Sequence, residues 1–249
     1  MQTVDLTAPP YWEHVRYLTY VVPPEHDGTE VGTLLKRGPA LSAALIKRIK
    51  YLEDGILLDG VRVTTRTRAK AGQRLQVRLS DSERRSEIHP VSGALDILYE
   101  DEDLLVLNKA PRMAVHPGVG HWTDTLGNIL LGYYDRCGIP ADFHPVHRLD
   151  RGTSGVMVVA KHTYAQDQLR QAMHSAAFSR EYLAVCDGAP AAERGVIDFP
   201  LAHAKNSVIR QEIRADGLPA RTEYEVLRRT PERALLRLHL QTGRTHQIR

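Results

Sequence analysis

The stretch Pro145-Val146-His147-Arg148-Leu149-Asp150-Arg151-Gly152-Thr153-Ser154-Gly155, followed at once by Val156-Met157-Val158-Val159-Ala160, constrains this chain more than any other. Charged and turn-forming residues crowd together, then a five-residue apolar run begins and ends at Lys161. That run has the length of a buried strand. Gly152, Ser154 and Gly155 are turn formers, so Asp150 is expected on a tight loop leading into the strand. A carboxylate in such a place can be held rigidly and still meet a substrate. The bland alternative is a solvated turn, which is what an arbitrary Asp near Gly usually is.

The chain has 249 residues, 42% of them hydrophobic, which suffices for one sizeable core and a smaller second domain. No apolar run approaches membrane-spanning length, and Met1-Gln2-Thr3-Val4-Asp5 lacks a basic-then-apolar signal pattern. A cytoplasmic protein with no membrane association is expected, and a monomer. Cys137 and Cys186 are too few for a disulfide framework and have no zinc-type spacing.

Net charge is only +3, but Lys36–Arg78 holds eleven Lys or Arg against Glu53, Asp54 and Asp59. That segment carries +8 and the remainder −5. A basic block attached to a mildly acidic body points to a polyanion-binding module. A solvated basic face is the competing reading.

Taken in order, residues 1–30 read as a loose leader with four prolines and one strand at 17–22. Leu41, Leu45, Ile49 and Leu52 recur at helical spacing, with Lys47 and Lys50 opposite. Gly55–Val63 reads as a hairpin turning at Asp59-Gly60. Arg62, Arg66, Arg68, Lys70 and Arg74 precede a strand at Leu75–Leu79. Residues 80–90 serve as a polar linker.

Beyond the linker, Ile97–Tyr99 and Leu104–Leu107 flank the acidic turn 100–103 and predict a hairpin. Thr163 with Gln166 has capping-box spacing, and Ala165, Leu169 and Met173 form a stripe, so a helix is expected over 163–177. Strands are expected at 179–185, 195–202 and 207–214. A half-buried antiparallel pair is expected at 222–226 and 236–240, turning at 230–233.

His147-Arg148-Leu149-Asp150-x-x-Thr153-Ser154-Gly155 resembles the signature of the RluA-type pseudouridine synthases. Asn108-Lys109 with Val115-His116-Pro117 is similar to the first motif of that family, although Ala110-Pro111-Arg112 departs from the usual Pro-Ala-Gly. Gly243-Arg244-Thr245-His246-Gln247-Ile248-Arg249 resembles its third motif. Members normally continue past that motif, so the resemblance implies that a C-terminal part is missing. The basic helix, hairpin and Lys70-Ala71-Gly72-Gln73 of 31–79 resemble the S-four RNA-binding module.

The resemblance implies an α+β fold: a catalytic domain over 91–249 with a mixed, largely antiparallel sheet, and a small N-terminal α/β RNA-binding module over 31–79. It implies isomerisation of specific uridines in structured RNA, ribosomal RNA being favoured over transfer RNA, with no cofactor and no metal. Asp150 would be the catalytic carboxylate, Arg244 its guanidinium partner, Tyr182 the ring stacked on uracil and Ile248 an apolar floor. Arg148 would enter the space left by the extruded base or contact phosphate. Lys47, Lys50, Arg62, Arg66, Arg68, Lys109 and His116 would face the RNA, a structural Lys or His being an equally open reading of Lys109 and His116. A Tyr in a strand is otherwise mostly core packing.

Two hydrolytic or metal readings of the same residues fail on context. His144, His147 and Asp150 share a three-residue spacing, but Pro145 breaks the helix that would bring them to one face. Gly152-Thr153-Ser154-Gly155 is not the Gly-x-Ser-x-Gly elbow. A transfer-RNA enzyme or a non-catalytic RNA-binding protein remain as alternatives.

Overall fold

The computed structural model describes residues 15–79, 84–173, 175, 178–207 and 210–249. Most of the expected leader (1–14) and part of the expected linker (80–83) lie outside the described residues. Contacts divide the chain into two compact units, Met1–Gln171 and Ala172–Arg249. Every strand pairing among the described residues is antiparallel.

The first unit opens with β1 (Tyr17–Val21), α1 (Val31–Arg37), α2 (Ala43–Ile49), β2 (Ile56–Leu58), β3 (Val61–Arg62) and β4 (Arg74–Arg78). These strands form one sheet in the order β1-β4-β2-β3. Asp59 and Gly60 both have positive φ, 50° and 82°, which is the geometry that makes Asp-Gly a two-residue hairpin turn. Val31, Leu34 and Leu35 of α1 and Leu45, Ile46 and Ile49 of α2 pack with Ile56, Leu58, Leu75 and Val77 in a single apolar core. The boundary expected at 30/31 is corrected here: β1 pairs with β4 from Tyr17↔Arg78 to Val21↔Arg74, so the strand belongs to the sheet of the basic module.

Next come β5 (Ile97–Glu100), β6 (Leu104–Lys109), α3 (Leu126–Cys137), β7 (His144–Pro145), β8 (Gly155–Ala160) and α4 (Thr163–Ala172). The sheet order is β5-β6-β8-β7. Leu105, Leu107, Met157 and Val159 are buried on it. At its rim, Lys161 Nζ lies 2.8 Å from Glu100 Oε1, and the Tyr133 hydroxyl donates to Glu100 Oε2 at 2.6 Å.

Helix α3 has no counterpart among the sequence expectations. Its first turn is closed by a capping box, with the Thr125 side chain accepting from Asn128 N–H and the Asn128 side chain accepting from Thr125 N–H. It ends at Gly138 with φ 68°. Gly132 sits where the helix crosses Val91: a Cβ there would be 2.1 Å from the Val91 carbonyl oxygen.

Helix α4 is shorter than expected, stopping at Ala172, and its cap is not the Thr163–Gln166 pair. His162 Nδ1 accepts from the Ala165 N–H at 3.2 Å, while Nε2 donates to Asp103 at 2.8 Å. Thr163 Oγ1 instead accepts from Arg48 of α2 at 2.5 Å. Ser42, which caps α2, donates to Asp167 of α4. Tyr164 packs on the core of the basic module and donates to Pro39 O at 3.3 Å. Arg16 binds Asp103 and, at 3.1 Å, Glu102. The module is thereby clasped to α4 and to the β5–β6 turn.

The second unit contains β9 (Glu181–Asp187), β10 (Arg194–Asp198), β11 (Leu201–His203), β12 (Gln211–Ile213), β13 (Arg221–Arg229) and β14 (Arg233–Leu240). Four of them form a sheet ordered β10-β13-β14-β9, and β11 pairs with β12. The strand expected over 195–202 is thus two strands interrupted at Phe199-Pro200, and the one expected over 207–214 is reduced to three residues. Ala234, Leu236, Leu238 and Leu240 point to one face and pack with Tyr182, Ala184, Tyr224 and Ile248. The expected turn closes through Thr230 N–H on Arg233 O at 2.8 Å.

Candidate active site

In the first unit the loop between β7 and β8 carries Asp150. Leu149 is buried beside it, and Thr153 N–H bonds back to Asp150 O at 3.0 Å, closing the turn that Gly152 and Ser154 led one to expect. His147 fixes the other end: its Nε2 accepts from Val158 N–H at 3.3 Å. That imidazole is occupied with the backbone, and among the described residues no three His, Cys, Asp or Glu stand together as metal ligands would.

Lys109, at the end of β6, pairs with Gly155 at the start of β8. It was expected to face RNA, and this is corrected: its side chain is turned inward and only 1% of the residue is exposed. The ammonium donates to Ala110 O and Met113 O at 2.9 Å each and lies 3.5 Å from Arg151 O. It therefore ties the 110–113 loop to the Asp150 loop. Burial pushes its pKa down, and the Asp150 carboxylate opposes that shift.

Arg112, Arg148 and Arg151 on the two loops, and Arg170 of α4, are exposed. Arg151 Nε reaches Arg112 O at 3.3 Å, and Arg170, from α4, donates to Pro145 O at 3.3 Å. His116 is exposed, meets Phe143 edge-on with centroids 5.0 Å apart, and has its pKa lowered by burial and by Arg148 and Arg170. Arg112 has φ 65°, the left-handed conformation that favours glycine.

The second unit carries the other expected residues. Tyr182 lies on β9 opposite Leu238, half-buried against the apolar face of the sheet. Ile248 packs on the same face and lines a cavity of about 510 Å³ with Phe199, Leu236 and Leu238. Arg244 is exposed, and its Nε donates to Pro219 O at 2.9 Å. Gln247 organises the turn holding it. Its Oε1 accepts from Arg244 N–H and Thr242 Oγ1, both at 2.9 Å, and its Nε2 donates to Thr222 Oγ1 at 2.9 Å and Arg221 O at 3.2 Å.

In the basic module, Lys47, Arg62, Arg66 and Arg68 are exposed. Lys50 lies 4.7 Å over the ring of Tyr51, and Arg68 donates to Gly28 O at 2.9 Å and stands 3.7 Å from Glu30.

A family model described as RNA pseudouridylate synthase matches residues 103–249. The chain belongs to the RNA pseudouridylate synthase family.

Its relatives agree. YjbO of Bacillus subtilis (strain 168), named an uncharacterized RNA pseudouridine synthase, is 35% identical over 209 residues, covering 84% of this chain and 74% of the relative. Ribosomal large subunit pseudouridine synthase D of Escherichia coli (strain K12) is 37% identical over 205 residues, covering 81% of this chain but 62% of the relative. The solved structure of human RNA Pseudouridylate Synthase Domain Containing 1 superposes with a TM-score of 0.51 at 25% identity, covering 65% of each chain. An α+β pseudouridine synthase is therefore the architecture at hand, and RNA uridine is what it isomerises.

Two residues that organise the loops described above, Lys109 in the first unit and Gln247 in the second, were not given that role by reasoning from sequence. Nothing in a lone Lys shows that it will be buried on carbonyls. The four bonds of Gln247 involve residues up to 26 positions away.

Proposed function

We propose that Asp150 is the catalytic carboxylate and that the substrate is a uridine of large-subunit ribosomal RNA. Isomerisation breaks the N1–C1′ bond, turns the base and joins C5 to C1′, with one proton leaving C5 and one arriving at N1. A single carboxylate can attack C1′ or remove a proton from the ribose and so carry the reaction between the two bonds. The observation that carries the reading is Asp150 itself: it sits on a turn closed by Thr153, beside buried Leu149, and shares its electrostatic field with the Lys109 ammonium.

Tyr182 is assigned to stack on the uracil and Arg244 to pair with Asp150, both on the motifs they occupy. Ile248 supplies apolar surface to the base. The uridine is extruded from its stack, at a cost of a few kcal/mol, with Arg148 at the vacated position. Lys47, Lys50, Arg62, Arg66 and Arg68 meet RNA phosphates, which position a substrate without reading its sequence. The ribosomal assignment is supported by the name of the Escherichia coli relative. With it goes a cytoplasmic location.

The test is Asp150→Asn. Deproteinised ribosomal RNA should be bound as before, while pseudouridine formation, mapped by mass-neutral sequencing chemistry, disappears. Persisting turnover would remove Asp150 from the mechanism, and turnover on transfer RNA alone would replace the substrate. Converting Lys47 and Lys50 to Gln should flatten the salt dependence of binding by up to about 0.7–0.9 log unit per lost phosphate contact.

A further inference from the structure

Between His116 and α3 the chain makes an excursion, residues 117–124, that the chemistry above does not use. At its tip Val119 is 97% exposed, and Trp122 is 66% exposed. Single apolar residues on a surface are ordinary. What sets this excursion apart is that its backbone is held while its side chains are presented. Gly118 and His121 exchange both backbone hydrogen bonds, at 2.9 and 2.8 Å. His121 Nδ1 is 2.6 Å from Asp124 Oδ2. The carbonyl of Trp122 itself accepts from the buried Asn128 side chain at 3.0 Å.

The excursion also has a fixed place. Leu126 N–H bonds to Ala114 O at 2.9 Å and Gly127 N–H to Val115 O at 3.1 Å, so both ends of it stand beside the loop that Lys109 anchors. Asp124 lies in the field of Arg151, the residue after Asp150. Arg112 and Arg148 are exposed like Arg151, and Arg151 Nε reaches Arg112 O at 3.3 Å, so the loops that hold the excursion's ends and its Asp124 partner carry guanidinium groups open to a polyanion. A pre-positioned aromatic ring among cations is the means by which proteins hold unpaired nucleotides: the cations follow the backbone and the ring takes a base.

We propose that Trp122 is a stacking platform for an unpaired base flanking the target uridine. The proposal rests on the reading of the Asp150 loop as the uridine site. Its ligand is a single-stranded stretch of RNA, and its contribution is to bind and orient substrate, leaving the bond-breaking step to other groups. Because the carbonyl of Trp122 is already bonded to Asn128, the backbone that carries the ring needs little further ordering when the base arrives.

The chain has two tryptophans, so Trp12→Phe leaves Trp122 as the lone indole reporter. In that background, a ten-nucleotide oligouridylate should quench the fluorescence as it binds. A ribose-phosphate oligomer of equal length without bases should bind through charge and leave it unchanged. Trp122→Ala should weaken oligouridylate binding about 10-fold, and Trp122→Phe should recover most of the loss, with thermal melting unaltered in both. Equal quenching by the abasic oligomer, no quenching at concentrations that saturate binding by anisotropy, or full affinity in Trp122→Ala would each overturn the proposal. Asp150→Asn in the same background separates the two readings. Retained turnover there defeats the assignment of the loop whatever the indole reports, whereas lost turnover with unquenched indole defeats only Trp122.

Discussion

Lys109 is a buried cation that feels the half-buried Asp150 carboxylate, with its ammonium seated on Ala110 O and Met113 O and near Arg151 O. A charge that feels the aspartate is therefore part of the loop scaffold. Losing it affects two things at once, the shape of the loop and its electrostatics.

Lys109→Met should keep the volume and remove the donor. Carbonyl oxygens left unpaired cost about 1–3 kcal/mol, so the melting temperature should fall and turnover should fall with it. The pH dependence has a definite sign. Burial lowers the folded-state pKa of Lys109 from its ordinary 10.5, so below 10.5 there is a window in which the unfolded chain binds a proton that the folded chain has released. Stability attributable to Lys109 rises with pH through that window. Urea titrations should show the wild type gaining on Lys109→Met as pH approaches 10.5. A difference that shrinks instead would mean that Lys109 is not desolvated.

Arg112→Gly should stabilise the protein. A side chain in the left-handed conformation costs about 1–2 kcal/mol, and glycine's greater freedom in the unfolded chain returns about 0.5–1 kcal/mol of that. A net gain of about 0.5–1 kcal/mol follows, visible as a higher urea midpoint. Arg112→Ala, which keeps a Cβ, should show no such gain.

Gly132→Ala sets helix propensity against packing. Propensity alone would give a gain of about 1 kcal/mol. The new Cβ would stand 2.1 Å from Val91 O, which is backbone and has no rotamer by which to move away. Overpacking of this kind costs about 1–3 kcal/mol and occasionally more, so chemical denaturation should show net destabilisation.

Gln247→Ala should loosen the turn that carries Arg244. Four hydrogen bonds go at a partly exposed position, each with a net worth of about 0.5–1.5 kcal/mol before water compensates. The role proposed for Arg244 in turnover makes the expected outcome a larger drop in kcat than in RNA affinity. An equal loss in both would place Gln247 in substrate binding alone.

The hairpins were legible because their signals are local. Alternating apolar residues and an Asp-Gly turn determine β2–β3, and β13–β14 follows from the same periodicity. The turn under Asp150 was legible for the same reason. Helix α3 was not, because Gly127 and Gly132 lower its propensity for reasons that lie elsewhere: each admits a neighbour, Phe143 and Val91, that is distant in sequence. The cap of α4 was misread because Thr163 fitted a local pattern while His162 and Arg48 made the bonds. A structural Lys109 was one of two open readings, and its seat on the Ala110 and Met113 carbonyls had no local signal, since lysine is almost always a surface residue.

The clasp between the basic module and α4 has a consequence for substrate geometry. Helix α4 follows β8, which grows out of the aspartate loop, and Ser42 and Arg48 grip that same helix. The separation between α2 and Asp150 is consequently a dimension of the folded polypeptide, like the gap of a caliper. On the proposed roles of Lys47, Lys50 and Asp150, an RNA that engages both must carry its gripped phosphates and its reactive nucleotide at that one spacing.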